Sequence, residues 1–289
     1  MSVLTTDFEQ PTMDDYPTRK DPSPALLFRR DPTVWGDADG GPLDGAELAR
    51  FEEKGYLQSD PLLTPDELAT YRAELDRLRA DPDLRGDERV VTDPGTGEVR
   101  TVFAAHRVSA VFDALVRDPR IVGRARQILG SDVYVHQSRV NHAPGFSGTD
   151  LFWHSDFETW HAEDGMPRMR AVGISIALTE EHAHNGALMV IPGSHRTFVS
   201  CLGEDGLPDH GSLSILTEMH GIDVLSGPEG GVTVLDGNAM HGSNGNITPH
   251  ARANVFVVFN SVENTCGDPF TAPRPRPEYR AARDFTPIE

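Results

Sequence analysis

The sequence predicts a mainly β protein with flanking helices, and three observations carry that prediction. Apolar, β-prone runs recur from Val133 onward, separated by Gly, Pro and Asn clusters. No long helical pattern intervenes between those runs. A βαβ sheet is therefore disfavoured, and an antiparallel sandwich or barrel with helices on one side is expected. Helix start and stop signals instead crowd into the stretch before residue 131. The 289 residues suffice for a large domain with a buried core. With 38% hydrophobic and 25% charged residues, the composition is that of a soluble globular chain rather than a disordered one.

Residues 1–43 are rich in Asp, Pro and Thr and lack periodicity, so an extended or loosely packed arm is expected, solvated or laid on a partner subunit. A single domain over 44–289 follows. Asp44 can cap a helix that stops at Gly55. Thr64-Pro-Asp-Glu67 reads as a capping box with proline at the first helical position. It opens an amphipathic helix with Leu68, Tyr71, Leu75 and Leu78 on one face. A third helical stretch spans Val108 to Leu129, interrupted near Asp118-Pro119 and ended by Gly130. Helices thus occupy about 44–130. The β core, about 131–265, contains the runs VYVHQSRV, VGISIAL, ALMVI, GVTVL and NVFVVF, and a C-terminal tail follows.

Charge narrows the partners. The formal net charge is −19, which argues against nucleic acid and against anionic membranes, because both need clustered Lys and Arg. Two cysteines make no disulfide framework. The start lacks a basic segment followed by an apolar one, and no apolar run is long enough to span a bilayer. The expected compartment is a reducing cytoplasm.

Histidine carries the chemistry. Two His and one carboxylate can bind Fe(II) on one face and leave positions open for O₂ and a co-substrate. On a strand, residues i and i+2 share a face, so His154-Ser-Asp156 could offer two ligands to one metal. That pattern alone is weak, since His161-Ala-Glu163 has the same spacing. Context strengthens it. Trp153 and Phe157 flank the pair, and a strand-like Gly231–Leu235 runs downstream into Asp236-Gly-Asn-Ala-Met-His241-Gly-Ser243. Arg252 opens the next strand. A hairpin would bring it near His241, where it could pair with the carboxylate of a 2-oxo acid.

The run Phe152 to Arg170 (FWHSDFETWHAEDGMPRMR) closely resembles the signature of the ectoine hydroxylases, within the phytanoyl-CoA-hydroxylase-like group of Fe(II)- and 2-oxoglutarate-dependent dioxygenases. The similarity extends to Arg124–Gly130, His136–Asn141, Asn185–Met189, Pro192–Phe198, Met240–Ser243, Asn246–Pro249 and Asn254–Asn264, most of residues 45–289. The resemblance implies a double-stranded β-helix core (jelly roll or cupin). It implies iron on His154, Asp156 and His241, with O₂ as oxidant. It places Arg252, Asn141, Ser243 and Leu151 beside 2-oxoglutarate. Gln137, Trp160, Gly173, Asn254, Phe256 and Arg276 match positions that line the substrate pocket. Conversion of ectoine to 5-hydroxyectoine, with release of succinate and CO₂, is the implied reaction, and a homodimer the implied assembly.

The sequence also departs from that pattern. Ser200–Pro208 passes directly to Leu213 where relatives carry a further segment that resembles a cover over the active site. Leu151 replaces an aromatic residue, Ala143 a Lys, Gly173 a Ser or Ala, and Gly237 a Cys. The alternative reading is therefore the same chemistry on another small molecule, such as a free amino acid or a natural-product intermediate. Cys201 and Cys266 are expected to be free structural thiols. Arg168 and Arg170 are expected to pair with carboxylates, and His182, His184 and His195 to be loop histidines.

Overall fold

The computed structural model describes residues 14–20, 24–93, 97–146, 150–202 and 206–289. The first half runs β1 (Leu26–Phe28), α1 (Gly45–Lys54), β2 (Tyr56–Ser59), α2 (Pro65–Ala80), β3 (Val90–Thr92), β4 (Val99–Phe103), α3 (Ala105–Val108), α4 (Ala110–Val116) and α5 (Pro119–Leu129). The second half runs β5 (Val133–Ala143), β6 (Leu151–His154), α6 (Asp156–Asp164), β7 (Ala171–Ala177), β8 (Leu188–Val190) and β9 (Thr197–Val199). It ends with α7 (His210–His220), β10 (Asp223–Leu225), β11 (Val232–Asp236), β12 (His241–Ser243) and β13 (Arg252–Ser261).

The helix signals act where the sequence puts them. Asp44 accepts from the backbone of Ala46 and Glu47, and Glu47 reaches back to the Asp44 amide. Thr64 and Glu67 make the same reciprocal cap on α2. Gly55 and Gly130 end α1 and α5 in the left-handed conformation that L side chains disfavour. Leu68, Tyr71, Leu75 and Leu78 are all buried. Pro119 lacks an amide hydrogen and so opens α5, which splits the third helical stretch in two.

Every strand pairing among the described residues is antiparallel. One sheet has the order β2-β11-β7-β13-β5-β4-β3 and a second β10-β8-β12-β6, while β1 pairs with β9. Together they form the jelly roll, the double-stranded β-helix. Strand alternation assigns the two faces of the large sheet. Ile174, Ile176, Val255 and Val257 pack outward against Phe51, Leu78, Phe112, Ile121 and Ile128 of the helices. The alternate residues Ser175, Asn254 and Phe256 turn inward to a cavity. No helix among the described residues is long and apolar enough to cross a membrane.

Two expectations need correction. Residues 14–20 and the β1 segment with Arg29 are not loose, since β1 pairs with β9 and Arg29 pairs with Asp236. Tyr16 is 1% exposed among Phe157, Trp160 and Phe198, and Arg19 pairs with Glu158 and Glu163. Residues 1–13 lie outside the described residues. Strands β2, β3 and β4 were not expected, because their short runs carry no sustained alternation; pairing with β11 and β5 makes them strands. Cys201 and Cys266 are free and buried, and Arg170 pairs with Glu263.

Candidate active site

His154 closes β6, Ser155 sits at the N-cap, and Asp156 begins α6. The pair thus converges across a strand-to-helix junction, not by alternation along one strand. His241 opens β12 directly opposite His154 in the antiparallel register. His154 Nε2 lies 3.8 Å from Asp156 Oδ1, and His241 Nε2 lies 3.9 Å from Asp156 Oδ2. These ligand-type atoms all lie within 4.8 Å of one another.

The donor set fits a divalent transition metal. His154 Nδ1 is 2.8 Å from the Phe152 carbonyl and His241 Nδ1 is 2.9 Å from the Ala239 carbonyl. Each carbonyl can only accept, so each Nδ1 carries the hydrogen and each Nε2 lone pair points at the shared space. Their separations from Asp156 exceed hydrogen-bond length, as expected for groups meeting at an ion. Burial, and then the charge of His154, push His241 down to about 4, keeping it neutral and able to ligate. Burial opposes ionisation of Asp156, but His241, His154 and Arg139 outweigh it and hold the carboxyl below its ordinary value.

Both imidazoles open onto a cavity of about 380 Å³. Asn141, Leu151, Ser243, Arg252, Asn254 and Phe256 line it, so the structure brings these expected residues together. Arg252 and His241 do not form the expected hairpin. They belong to different sheets and meet across the cavity. The Arg252 Nε is held by Glu181 Oε1 at 2.5 Å. Asn141 donates to Asn254 Oδ1 at 2.9 Å, and Asn254 donates to Ser175 Oγ at 2.8 Å.

Gln137, Trp160, Gly173 and Arg276 stand behind this lining. Gln137 donates to the Arg280 carbonyl and accepts from Arg139. Trp160 is 2% exposed in an apolar cluster with Tyr16 and Phe157. The Phe256 ring occupies the space beside Gly173. Arg276 grips Asp164 with both Nε, at 2.8 Å, and one terminal nitrogen, at 2.5 Å, while His136 approaches the same carboxylate at 3.1 Å.

The phytanoyl-CoA dioxygenase (PhyH) sequence profile matches residues 51–254. This chain belongs to the phytanoyl-CoA dioxygenase family. It is similar to the ectoine dioxygenase of Streptomyces coelicolor, 51% identical over the full length of both proteins, and to that of Halomonas elongata, 46% identical over 94% of this chain and 87% of the relative. The crystal structure of EctD from S. alaskensis with 2-oxoglutarate and 5-hydroxyectoine superposes at a TM-score of 0.91, with 44% identity, over 96% of this chain and 97% of that one. The alignment with the S. coelicolor protein runs over 304 positions against 289 residues here, so that family member carries residues without a counterpart in this chain.

This family member has pocket residues that the sequence reading missed. Arg139, Thr101, Phe103, Ser175 and Arg280 all line the cavity. Arg139 was within reach of the alternation argument, since it shares a strand face with Asn141. Arg280 lies in the irregular tail, where no period assigns a face. Of the shortened Ser200–Pro208 passage, residues 203–205 lie outside the described residues. Asp209 then caps α7 through the amides of Gly211 and Ser212.

Proposed function

We propose that this chain is an Fe(II)- and 2-oxoglutarate-dependent hydroxylase that converts ectoine to 5-hydroxyectoine. The observation that carries this reading is the convergence of two Nε2 lone pairs and the Asp156 carboxylate at the floor of a cavity that also presents Arg252. His154, Asp156 and His241 would hold the iron. When bound, Fe(II) supplies the O₂ chemistry that an unactivated C–H bond requires, which no protein side chain can provide. One oxygen atom ends in the new hydroxyl group. The other ends in succinate, as 2-oxoglutarate loses CO₂.

The chain's own groups bind and orient. Arg252, pinned by Glu181, turns its remaining donors to the far carboxylate of 2-oxoglutarate, with Ser243 and Asn141 beside it. Phe256 and Asn254 face the substrate ring. The backbone carbonyls on His154 and His241 keep both imidazoles in the ligating tautomer. Trp160 and Arg276 hold α6 and the tail in place from behind. We also propose a homodimeric, cytoplasmic enzyme acting on a small molecule, and the acidic net charge argues against a nucleic-acid partner.

Incubation with Fe(II), ascorbate, 2-oxoglutarate and ectoine should yield 5-hydroxyectoine and equimolar succinate. Absence of both products would reject the assignment. A second reading, the same reaction on another small molecule, draws on the residues this chain lacks relative to the S. coelicolor protein. Succinate release across a panel of amino acids and cyclic amidines separates the two.

A further inference from the structure

Three imidazoles outside the iron site stand together at the surface. His182 and His184 belong to the turn between β7 and β8, and His250 precedes β13. The His182 and His184 rings are parallel to within 4°, with centroids 5.3 Å apart, and the His250 ring lies 6.1 Å from that of His182. His184 and His250 are exposed and His182 is half-buried. His195, the next histidine along the chain, does not join them. It is buried, and its Nε2 meets the Glu52 carbonyl at 3.2 Å.

Buried asparagines fix the two segments that carry this cluster. Asn185, 0% exposed, accepts from the His182 amide at 2.7 Å and donates to the Glu180 carbonyl at 3.0 Å. Asn246, 2% exposed, donates to the His250 carbonyl at 2.7 Å. Ordered backbone therefore presents the imidazoles, while the exposed rings can turn. Glu180 Oε1 stands 3.5 Å from His182 Nδ1. A carboxylate beside one ring nitrogen orients the ring and leaves the other, Nε2, as the ligand atom. For comparison, the rings of His154 and His241 have centroids 4.3 Å apart. The surface rings must draw in by about 1–2 Å to share an ion, a rotation that exposed side chains make readily. The net charge of −19 favours a cation over an anion here.

We propose that His182, His184 and His250 form a second metal site, for a late divalent transition metal such as Zn(II). Three imidazole nitrogens with a fourth position open to solvent suit that ion, and Fe(II) ranks below it in affinity. The site therefore complements the His154, Asp156 and His241 triad rather than duplicating it. A bound ion would tie the β7–β8 turn to the start of β13, the same two segments that Glu181 and Arg252 join.

Zn(II) titration of the tag-free chain against a chromophoric chelator tests the site without turnover, so the result is independent of the ectoine reading. The wild type should take up two equivalents, one at the triad and one at the surface cluster. Asp156→Ala should retain the surface equivalent. His184→Ala and His250→Ala, both exposed substitutions, should each keep the triad equivalent and weaken the other at least about tenfold. Zn(II) should raise the melting temperature of Asp156→Ala, and it should not do so when His250→Ala is added. A single equivalent in the wild type, or a second equivalent of unchanged affinity in both histidine variants, would overturn the proposal.

Discussion

Glu181 holds Arg252 by a single short contact, Oε1 to Nε at 2.5 Å, and both side chains are largely shielded, at 8% and 18% exposure. The two come from different segments, the loop after β7 and the start of β13. Their pairing fixes the guanidinium at one end of the cavity. It also means that Arg252 cannot be removed without consequence for Glu181.

Arg252→Ala should therefore lose both 2-oxoglutarate affinity and stability. Removing one partner of a largely buried pair leaves the other charge uncompensated and costs about 3–5 kcal/mol in deeply buried cases, with less expected here. Arg252→Ala combined with Glu181→Gln should recover most of the melting temperature but none of the 2-oxoglutarate affinity. Recovery of both would show that Arg252 acts only as a structural counter-ion.

Metal binding should be readable without catalysis. Fe(II) at a hundredfold excess over its Kd should stabilise the wild type by about 2.7 kcal/mol in chemical denaturation. His241→Ala and Asp156→Ala should show no such gain, because each removes one of the three converging ligand atoms. Equal metal stabilisation in wild type and both variants would place the iron elsewhere.

The legible parts of this protein are those governed by local rules. Asp44, Thr64, Gly55 and Gly130 mark helix ends through backbone hydrogen bonds that the neighbouring residues determine. The long apolar runs at Val133, Val172 and Asn254 declare strands because a buried strand needs little else. Helix α6 was hidden because Trp160, His161 and Phe157 obey the packing of the arm rather than a clean helical stripe. His154 and Asp156 approach each other for a reason other than strand alternation, since a strand end and a helix start bring them together. Arg280 lies in the irregular tail after β13, where no hydrophobic period assigns a face, so its place in the cavity lining follows from the fold alone.

Two glycines make room for aromatic rings. A Cβ at Gly173 would stand 2.6 Å from Phe256 Cζ, and one at Gly237 would stand 2.5 Å from Trp160 Cζ3. Neither glycine enlarges the cavity, because the rings already fill the space. Gly173→Ala should push the Phe256 ring toward the substrate and raise the ectoine KM, with little change in the 2-oxoglutarate KM. Gly237→Cys should instead strike the core ring and destabilise by about 1–3 kcal/mol, as overpacking does. An unaltered melting temperature for Gly237→Cys would mean that Trp160 can shift freely.

The docked arm should matter to the metal site as well as to folding. Arg19 donates from Nε and a terminal nitrogen to the two Glu158 oxygens, at 2.9 and 2.7 Å, and reaches Glu163 at 2.8 Å. Both acids lie on α6, whose first residue is Asp156. Glu158 is 1% exposed, so Arg19→Ala strands a buried carboxylate and should destabilise by about 3–5 kcal/mol. A loosened α6 should also hold Asp156 less firmly and weaken Fe(II) binding by about tenfold, as loss of an outer support for a ligand does. The control is a surface pair on another helix. Arg77→Ala removes the exposed Arg77–Glu74 contact and should leave both quantities within error. A destabilised Arg19→Ala chain with wild-type iron affinity would confine the arm to folding alone.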